Sequence, residues 1–166
     1  MTLQFDESSA AFFAAAREAH FPAAINRVPA HLTLFHNLPG EELETVVATS
    51  AGIAGRTAPF PIAVDGLIAL GRGVAYRLSS RRLERLRAEL AEAFAPWLIA
   101  QDRQRFRAHV TVQNKVEPAT ARATQAELEA AFEPFTAHAE GLQLWRYRGG
   151  PWTPAGAIAF GSAADR

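Results

Sequence analysis

The sequence contains no cysteine, which excludes a disulfide framework and any chemistry that needs a thiol. No apolar run approaches the roughly 18 residues that a membrane span needs. The first residues include Asp6 and Glu7 and show no apolar core of a signal peptide. We therefore expect a cytoplasmic protein that has no membrane partner.

Neither sign of charge is in excess. The 17 basic and 17 acidic residues balance, so the formal net charge is zero. Binding to duplex DNA requires a strongly basic face, and we therefore do not expect duplex DNA as a partner. The balance leaves room for a small anionic ligand or a single strand end, and nine arginines against four acidic residues lie between positions 71 and 110.

The 166 residues, 49% of them hydrophobic, are enough for one domain with a buried core, which we place at residues 1–166. Helical and extended patterns alternate along the chain, which indicates an α/β (α+β) fold. The helical patterns are SSAAFFAAAREAH, EELETVVATSAGIAG, SSRRLERLRAELAEAFAPWL and TARATQAELEAAFEPF. The extended patterns include HLTLFHNL, FPIAVDGLIAL, GVAYRLS, HVTVQNKV, GLQLWRY and AGAIAFGS.

The second half of the chain repeats the first. HLTL at position 31 matches HVTV at position 109, and a helical pattern follows each. Further on, Pro59-Phe60 with VDGL matches Pro134-Phe135 with AEGL at the same internal spacing. An ordered series of matches indicates an internal repeat. We predict a bilobal fold of two duplicated strand–helix–strand lobes, residues 31–79 and 109–162, whose antiparallel sheets face a central cleft.

Each copy of the motif offers a histidine and a threonine on one strand face, because side chains alternate along a strand. In the first copy, His31, Thr33 and Phe35 share a face, and His36 lies on the opposite one. In the second copy, His109, Thr111 and Gln113 share a face. A duplicated fold can direct both faces into one cleft.

Two imidazoles and two hydroxyls are the groups that cleavage of a phosphodiester needs. Histidine titrates near neutrality, so one ring can act as base while the other acts as acid. Threonine hydroxyls can donate to the non-bridging oxygens as negative charge develops. The pattern therefore predicts phosphoryl transfer with no metal and no cofactor.

A metal site is the main competing interpretation, and it needs a third ligand beside the two histidines. His20 and His138 lie outside the motifs, and no carboxylate occupies the His-Thr face of either strand. We therefore predict that no metal is bound. The sequence also has no G-x-S-x-G nucleophile motif and no phosphate-loop lysine motif.

With HLTL at 31 and HVTV at 109, the chain resembles the two-histidine (2H) phosphoesterase superfamily, specifically its bacterial 2′-5′ RNA ligase and 2′,3′-cyclic phosphodiesterase branch. The resemblance extends from PAHLTLFHNLPG through FRAHVTVQNKV to LWRYRGGPW. It implies that RNA 3′-ends or nucleotides carrying a 2′,3′-cyclic phosphate are opened to 2′-phosphates, with 2′-5′ ligation as the reverse reaction.

The resemblance also implies roles for individual residues. His31 and His109 would be the acid–base pair, and Thr33 and Thr111 would bind the phosphate. The resemblance favours His31 as the acid and His109 as the base, whereas the residues alone leave the two roles open.

Other residues are candidates for substrate contacts. Phe35, Tyr147 and Trp152 could stack on a base, because an aromatic ring accepts any base. Gln113 continues the His109 face, and Arg105 or Arg107 could neutralise a terminal phosphate. We interpret Trp145 as a core residue.

Two other functions remain open. One is hydrolysis of a small cyclic phosphate that is not RNA, and the other is a non-catalytic module that binds RNA ends or phosphate. We expect a monomer in each case.

Overall fold

The computed structural model describes residues 1–161 and contains four α-helices and six β-strands. The helices are α1 (Glu7–His20), α2 (Leu43–Gly55), α3 (Arg81–Ala93) and α4 (Pro118–Ala131). The strands are β1 (Thr2–Phe5), β2 (Phe60–Ala69), β3 (Val74–Ser79), β4 (His109–Gln113), β5 (Phe135–Arg146) and β6 (Thr153–Ala159). The mixed α/β class predicted from the sequence is confirmed. Within the described residues, no helix has the length and apolar character needed to cross a membrane.

All neighbouring strands pair in antiparallel fashion in one sheet, with the order β1-β5-β2-β3-β4, and β6 pairs with β5 as well. We expected a separate sheet in each half of the chain. The halves are instead joined where β2 of the first half pairs with β5 of the second half. Without this pairing, each of the two strands would present an open edge.

The register at this junction reflects the sequence repeat. Phe60 pairs with Ala139, and Val64 pairs with Phe135. Phe60 and Phe135 are matched positions of the repeat, and so are Val64 and Ala139. The two pairs are therefore equivalent, because exchanging the two copies of the repeat converts one pair into the other.

The helices cover the sheet in two groups. Helix α1 packs on β4 and β5, and α4 packs on β2 and β3, whereas α2 packs on β5, β6 and α3. Helix α3 begins after Ser80, whose hydroxyl accepts a hydrogen bond from the Leu83 amide at 3.4 Å. Its stripe of Leu83, Leu86 and Leu90 is buried in the core, as the apolar spacing predicts.

Candidate active site

The first motif is not the long strand that HLTLFHNL predicts. Only Leu32 and Thr33 pair with other strands, as isolated bridges from Leu32 to Val110 of β4 and from Thr33 to Thr2 of β1. A backbone hydrogen bond from the Leu3 amide to the Leu32 carbonyl, at 3.0 Å, supports the second contact. This two-residue segment therefore links β1 and β4, the two ends of the main strand order.

The bridge between Leu32 and Val110 joins the equivalent residues of the two motifs. Its antiparallel register places His31 across from Thr111 and Thr33 across from His109, so all four side chains lie on one face. Leu32 and Val110 point the other way and are fully buried. The four polar side chains line one cavity of about 400 Å³, which we call the histidine cavity.

Both imidazole rings are held in the same way. Nδ1 of His31 donates to the Pro29 carbonyl at 2.8 Å, and Nδ1 of His109 donates to the Arg107 carbonyl at 2.7 Å. A carbonyl oxygen can only accept, so the proton of each neutral ring is on Nδ1. Nε2 is then the nitrogen that remains free to exchange protons with a ligand.

The environment of His31 favours its neutral form. Burial lowers the pKa of His31 to about 4, and the positive charge of Arg17 contributes in the same direction. Trp152 covers the His31 ring, with the two ring centroids 4.6 Å apart. His31 therefore carries no charge at neutral pH in the free protein.

Arg17 of α1 secures the strand that carries the second motif. Its Nη1 donates to the Thr111 carbonyl at 2.8 Å, and its Nε donates to Asn26 Oδ1 at 2.8 Å. The guanidinium lies over the Phe21 ring, 3.8 Å from the ring centroid. Arg17 is only 5% exposed. Its hydrogen bond fixes the backbone behind the hydroxyl of Thr111, and its charge adds positive potential beside His31.

Three aromatic residues form one wall of the histidine cavity, namely Trp145, Tyr147 and Trp152. Tyr147 is 70% exposed, whereas Trp145 is half-buried and donates from Nε1 to Thr2 Oγ1 at 2.9 Å. The structure thus brings Tyr147 and Trp152 to the cavity. The interpretation of Trp145 as a core residue is wrong, since it lines the cavity and is only half-buried, and its alternation with Tyr147 was a usable signal.

His36 also lines the histidine cavity, and the expectation that it lies on a far strand face is wrong. Pairing ends at Thr33 and the chain bends, so alternation no longer applies at His36. Nδ1 of His36 donates to Asp102 at 2.7 Å, and Gln101 Nε2 donates to His36 Nε2 at 3.1 Å. The His36 contacts and the backbone amide of Asn37 lower the pKa of Asp102, although burial of the carboxylate acts in the opposite direction.

The same bend corrects the expectation for Phe35. Its ring contributes to the cavity wall but is only 1% exposed. The Arg87 guanidinium covers one face at 3.8 Å, and Phe94 packs edge-on at 5.5 Å between centroids. Phe35 is a core residue and has no free face for stacking on a base.

Gln113 does not line the histidine cavity. Thr111 pairs with Ala75 and Gln113 with Val74, so β4 contains one extra residue there. Such a bulge changes the direction of the following side chain. Gln113 is buried and donates to Thr124 Oγ1 of α4 at 2.8 Å, so it does not contact a substrate.

Arg105 and Arg107 lie elsewhere. Both line a separate cavity of about 410 Å³ together with Arg77 and Glu84. Only the backbone carbonyl of Arg107 reaches the site, through His109. The structure does not bring the two guanidinium groups together with the histidines and threonines.

The ligands that a metal ion would need are not assembled here. Between Met1 and Gly161, no three His, Cys, Asp or Glu side chains form a group that could hold an ion. The donors of the histidine cavity are imidazole nitrogens and hydroxyls, a set that is suited to moving protons and binding an anion.

Comparison with known proteins gives a family and a fold. Residues 5–151 match the 2′-5′ RNA ligase superfamily. No curated protein matches the chain by sequence. The solved structure of TT0787 from Thermus thermophilus is 19% identical, with a TM-score of 0.69 over 98% of this chain and 97% of its own.

Escherichia coli LigT also superposes on the chain. Its complex with 3′-AMP is 20% identical, with a TM-score of 0.64 over 96% of this chain and 95% of LigT. Its complex with phosphate is 19% identical, with a TM-score of 0.60 over 97% and 95%. At these identities the similarity shows a shared fold.

Proposed function

Because the chain belongs to the 2′-5′ RNA ligase superfamily, we propose that it is a metal-independent phosphodiesterase that opens 2′,3′-cyclic phosphates of RNA or nucleotide ends to 2′-phosphates. The observation that carries this proposal is the pairing of the two motifs at Leu32 and Val110. The pairing places two oriented imidazoles and two hydroxyls around one cavity. The binding of 3′-AMP and of phosphate by LigT supports a nucleotide phosphate as the ligand.

The reaction needs one neutral and one protonated histidine. The neutral Nε2 takes a proton from water as the water oxygen bonds to phosphorus. The bond from phosphorus to the 3′-oxygen breaks, and the protonated histidine gives its proton to that oxygen. Thr33 and Thr111 donate to the non-bridging oxygens. The product has a 2′-phosphate and a 3′-hydroxyl, and solvent exchange restores the two histidines.

The lowered pKa of His31 favours His31 as the base and leaves the acid role to His109. This is the reverse of the roles that the family resemblance favours. A phosphodiester with a p-nitrophenolate leaving group needs no acid. We therefore expect His109→Ala to be much less impaired on it than on a cyclic phosphate. The assignment would be reversed if His109→Ala were equally impaired on both substrates and His31→Ala were the variant that is less impaired on the p-nitrophenyl substrate.

The same geometry supports 2′-5′ ligation. If the 5′-hydroxyl of a second RNA replaces water as the attacking group, the product of ring opening is a 2′-5′ linkage. Hydrolysis is favoured in dilute solution because water is in large excess over RNA ends.

A substrate panel tests the proposal. The EDTA-treated protein is assayed on mononucleoside 2′,3′-cyclic phosphates, on oligonucleotides that end in a cyclic phosphate, and on cyclic phosphates that lack a ribonucleotide. We expect turnover of ribonucleotide cyclic phosphates without added metal, with a 2′-phosphate as product. Turnover of only the last group would favour the small-molecule alternative, and binding without turnover would favour a non-catalytic module. Activity that returns only with added metal would contradict the mechanism.

A further inference from the structure

A second cavity opens directly beside the histidine cavity. Its volume is about 520 Å³, and the two cavities share Met1, His36, Trp145 and Tyr147 as lining residues. Because four residues belong to both walls, a ligand that is longer than the histidine cavity can continue into the second cavity.

The second cavity has a cationic rim. Arg146, at the end of β5, and Arg148, two residues further on, line it, and both are exposed. Neither makes an ion pair with any carboxylate between Met1 and Gly161. Among residues 1–161, no aspartate or glutamate lines either cavity. The two guanidinium groups therefore favour binding of an anion in the second cavity.

Part of the wall is apolar. Leu43 and Val46 of α2 and Leu144 of β5 lie there, together with the rings of Trp145 and Tyr147. An apolar floor below a cationic rim matches a nucleotide, whose base has two apolar faces and whose phosphate is charged. An acidic residue of a peptide fits this cavity less well, because its side chain carries a charge but no flat ring for the apolar part of the wall.

The boundary between the two cavities is rigid. His36 lies there, and its ring is fixed by the hydrogen bond to Asp102, whose side chain is 1% exposed. Asp102 also accepts from the backbone amides of His36 and Asn37 at 2.9 and 3.2 Å. These hydrogen bonds fix the backbone at His36 and Asn37, between Thr33 of the histidine cavity and Leu43 of the second cavity.

We infer that the second cavity binds the nucleotide that precedes the cyclic phosphate in an RNA chain, with Arg146 and Arg148 on the phosphate that links it to the terminal nucleoside. This rests on the proposed function, and it makes a strand end of two or more nucleotides the preferred substrate over a mononucleotide.

The test compares two substrates in three proteins. The substrates are a mononucleoside 2′,3′-cyclic phosphate and a dinucleotide that ends in the same group. The proteins are the unaltered chain, the double variant Arg146→Ala/Arg148→Ala, and Arg122→Ala, which removes an exposed arginine on α4 that lines neither cavity. We expect the unaltered chain to prefer the dinucleotide in kcat/KM. In the double variant, the ratio of kcat/KM for the dinucleotide to kcat/KM for the mononucleotide should fall about tenfold, whereas Arg122→Ala should keep it.

A binding measurement separates this inference from the catalytic proposal. Calorimetry with a dinucleotide that carries a terminal 3′-phosphate should show about tenfold weaker binding to the double variant than to Arg122→Ala. Equal binding to both variants, or no preference of the unaltered chain for the dinucleotide, would overturn the inference and leave the phosphodiesterase intact. If neither substrate is turned over but binding depends on the two arginines, the catalytic proposal fails and the binding site stands.

Discussion

At His31, local surroundings decide the charge of the ring. Burial under Trp152 and the nearby Arg17 lower its pKa to about 4. Since the folded value lies below the ordinary value of 6.5, the unfolded chain binds the proton more tightly. His31 therefore contributes stability above about pH 6.5, and this contribution is lost as the pH falls toward 4.

We expect Trp152→Ala to raise the pKa of His31 toward its ordinary value, because the exposed ring is better solvated when charged. Proton NMR of the imidazole, with the His31 signal identified by its loss in His31→Ala, measures the titration in both proteins. An unchanged titration in Trp152→Ala would show that this ring does not desolvate His31.

Thr33 and Thr111 differ from other threonines by their position in the wall of the histidine cavity. Thr33→Val and Thr111→Val should each lower kcat on the order of 10²-fold, the loss found for one donor to a developing oxyanion. Valine suits an extended backbone, so the fold should be kept. Thr136→Val, at an exposed position of β5, is the matched control and should retain its activity. A variant at Thr33 or Thr111 with full kcat would remove that hydroxyl from the mechanism.

The alternation of side chains between two faces could be predicted from the sequence only as far as each strand continues. It correctly placed the His-x-Thr pairs on one face, because the motif residues lie at the paired positions around Leu32 and Val110. It failed at His36 and Phe35, where a bend ends the strand, and at Gln113, where β4 contains a bulge. Bends and bulges depend on contacts with β1 and β3, which are distant in sequence.

Among the strands, β4 depends on a close approach by Gly73, the residue before β3. A Cβ atom at Gly73 would lie 1.9 Å from the Gln113 carbonyl oxygen, so only glycine fits there. Gly73→Ala should displace β4, which carries His109 and Thr111. We expect a loss of about 1–3 kcal/mol or more in the free energy of unfolding, together with lower kcat/KM, measured by urea denaturation and by assay.

The control is Gly52→Ala in the middle of α2, where the added Cβ meets only Arg56 Nη1 at 4.0 Å. This change should be neutral or stabilising by roughly 0.5–1 kcal/mol, because alanine is the better helix former. If Gly73→Ala were as stable and active as the control, β4 would not need the close contact.

Across the full chain, the repeat was visible in the sequence, but the single sheet was not. The matched motifs and Pro-Phe segments predicted equivalent elements in both halves. Pairing of β2 with β5 could not be read from the residues, since an apolar alternating strand accepts a neighbour from either half. The extent of the cleft was also hidden, because Arg146, Arg148 and His36 come together only through the folding of separate segments.

The pairing of the two halves through Leu32 and Val110 predicts that the histidines act as one unit. His31→Ala and His109→Ala should each lower kcat by roughly 10²–10⁴-fold, the usual range for a general acid or base. The double variant should lose clearly less than the product of the two, because neither histidine completes the proton transfer without the other. The kcat/KM of the unaltered chain should show a bell-shaped pH profile that reports the coupled pair. His138→Ala, an exposed histidine of β5 that lines neither cavity, is the matched control and should behave like the unaltered chain. Multiplicative losses, or normal turnover after removal of either histidine, would mean that the two motifs do not serve one reaction.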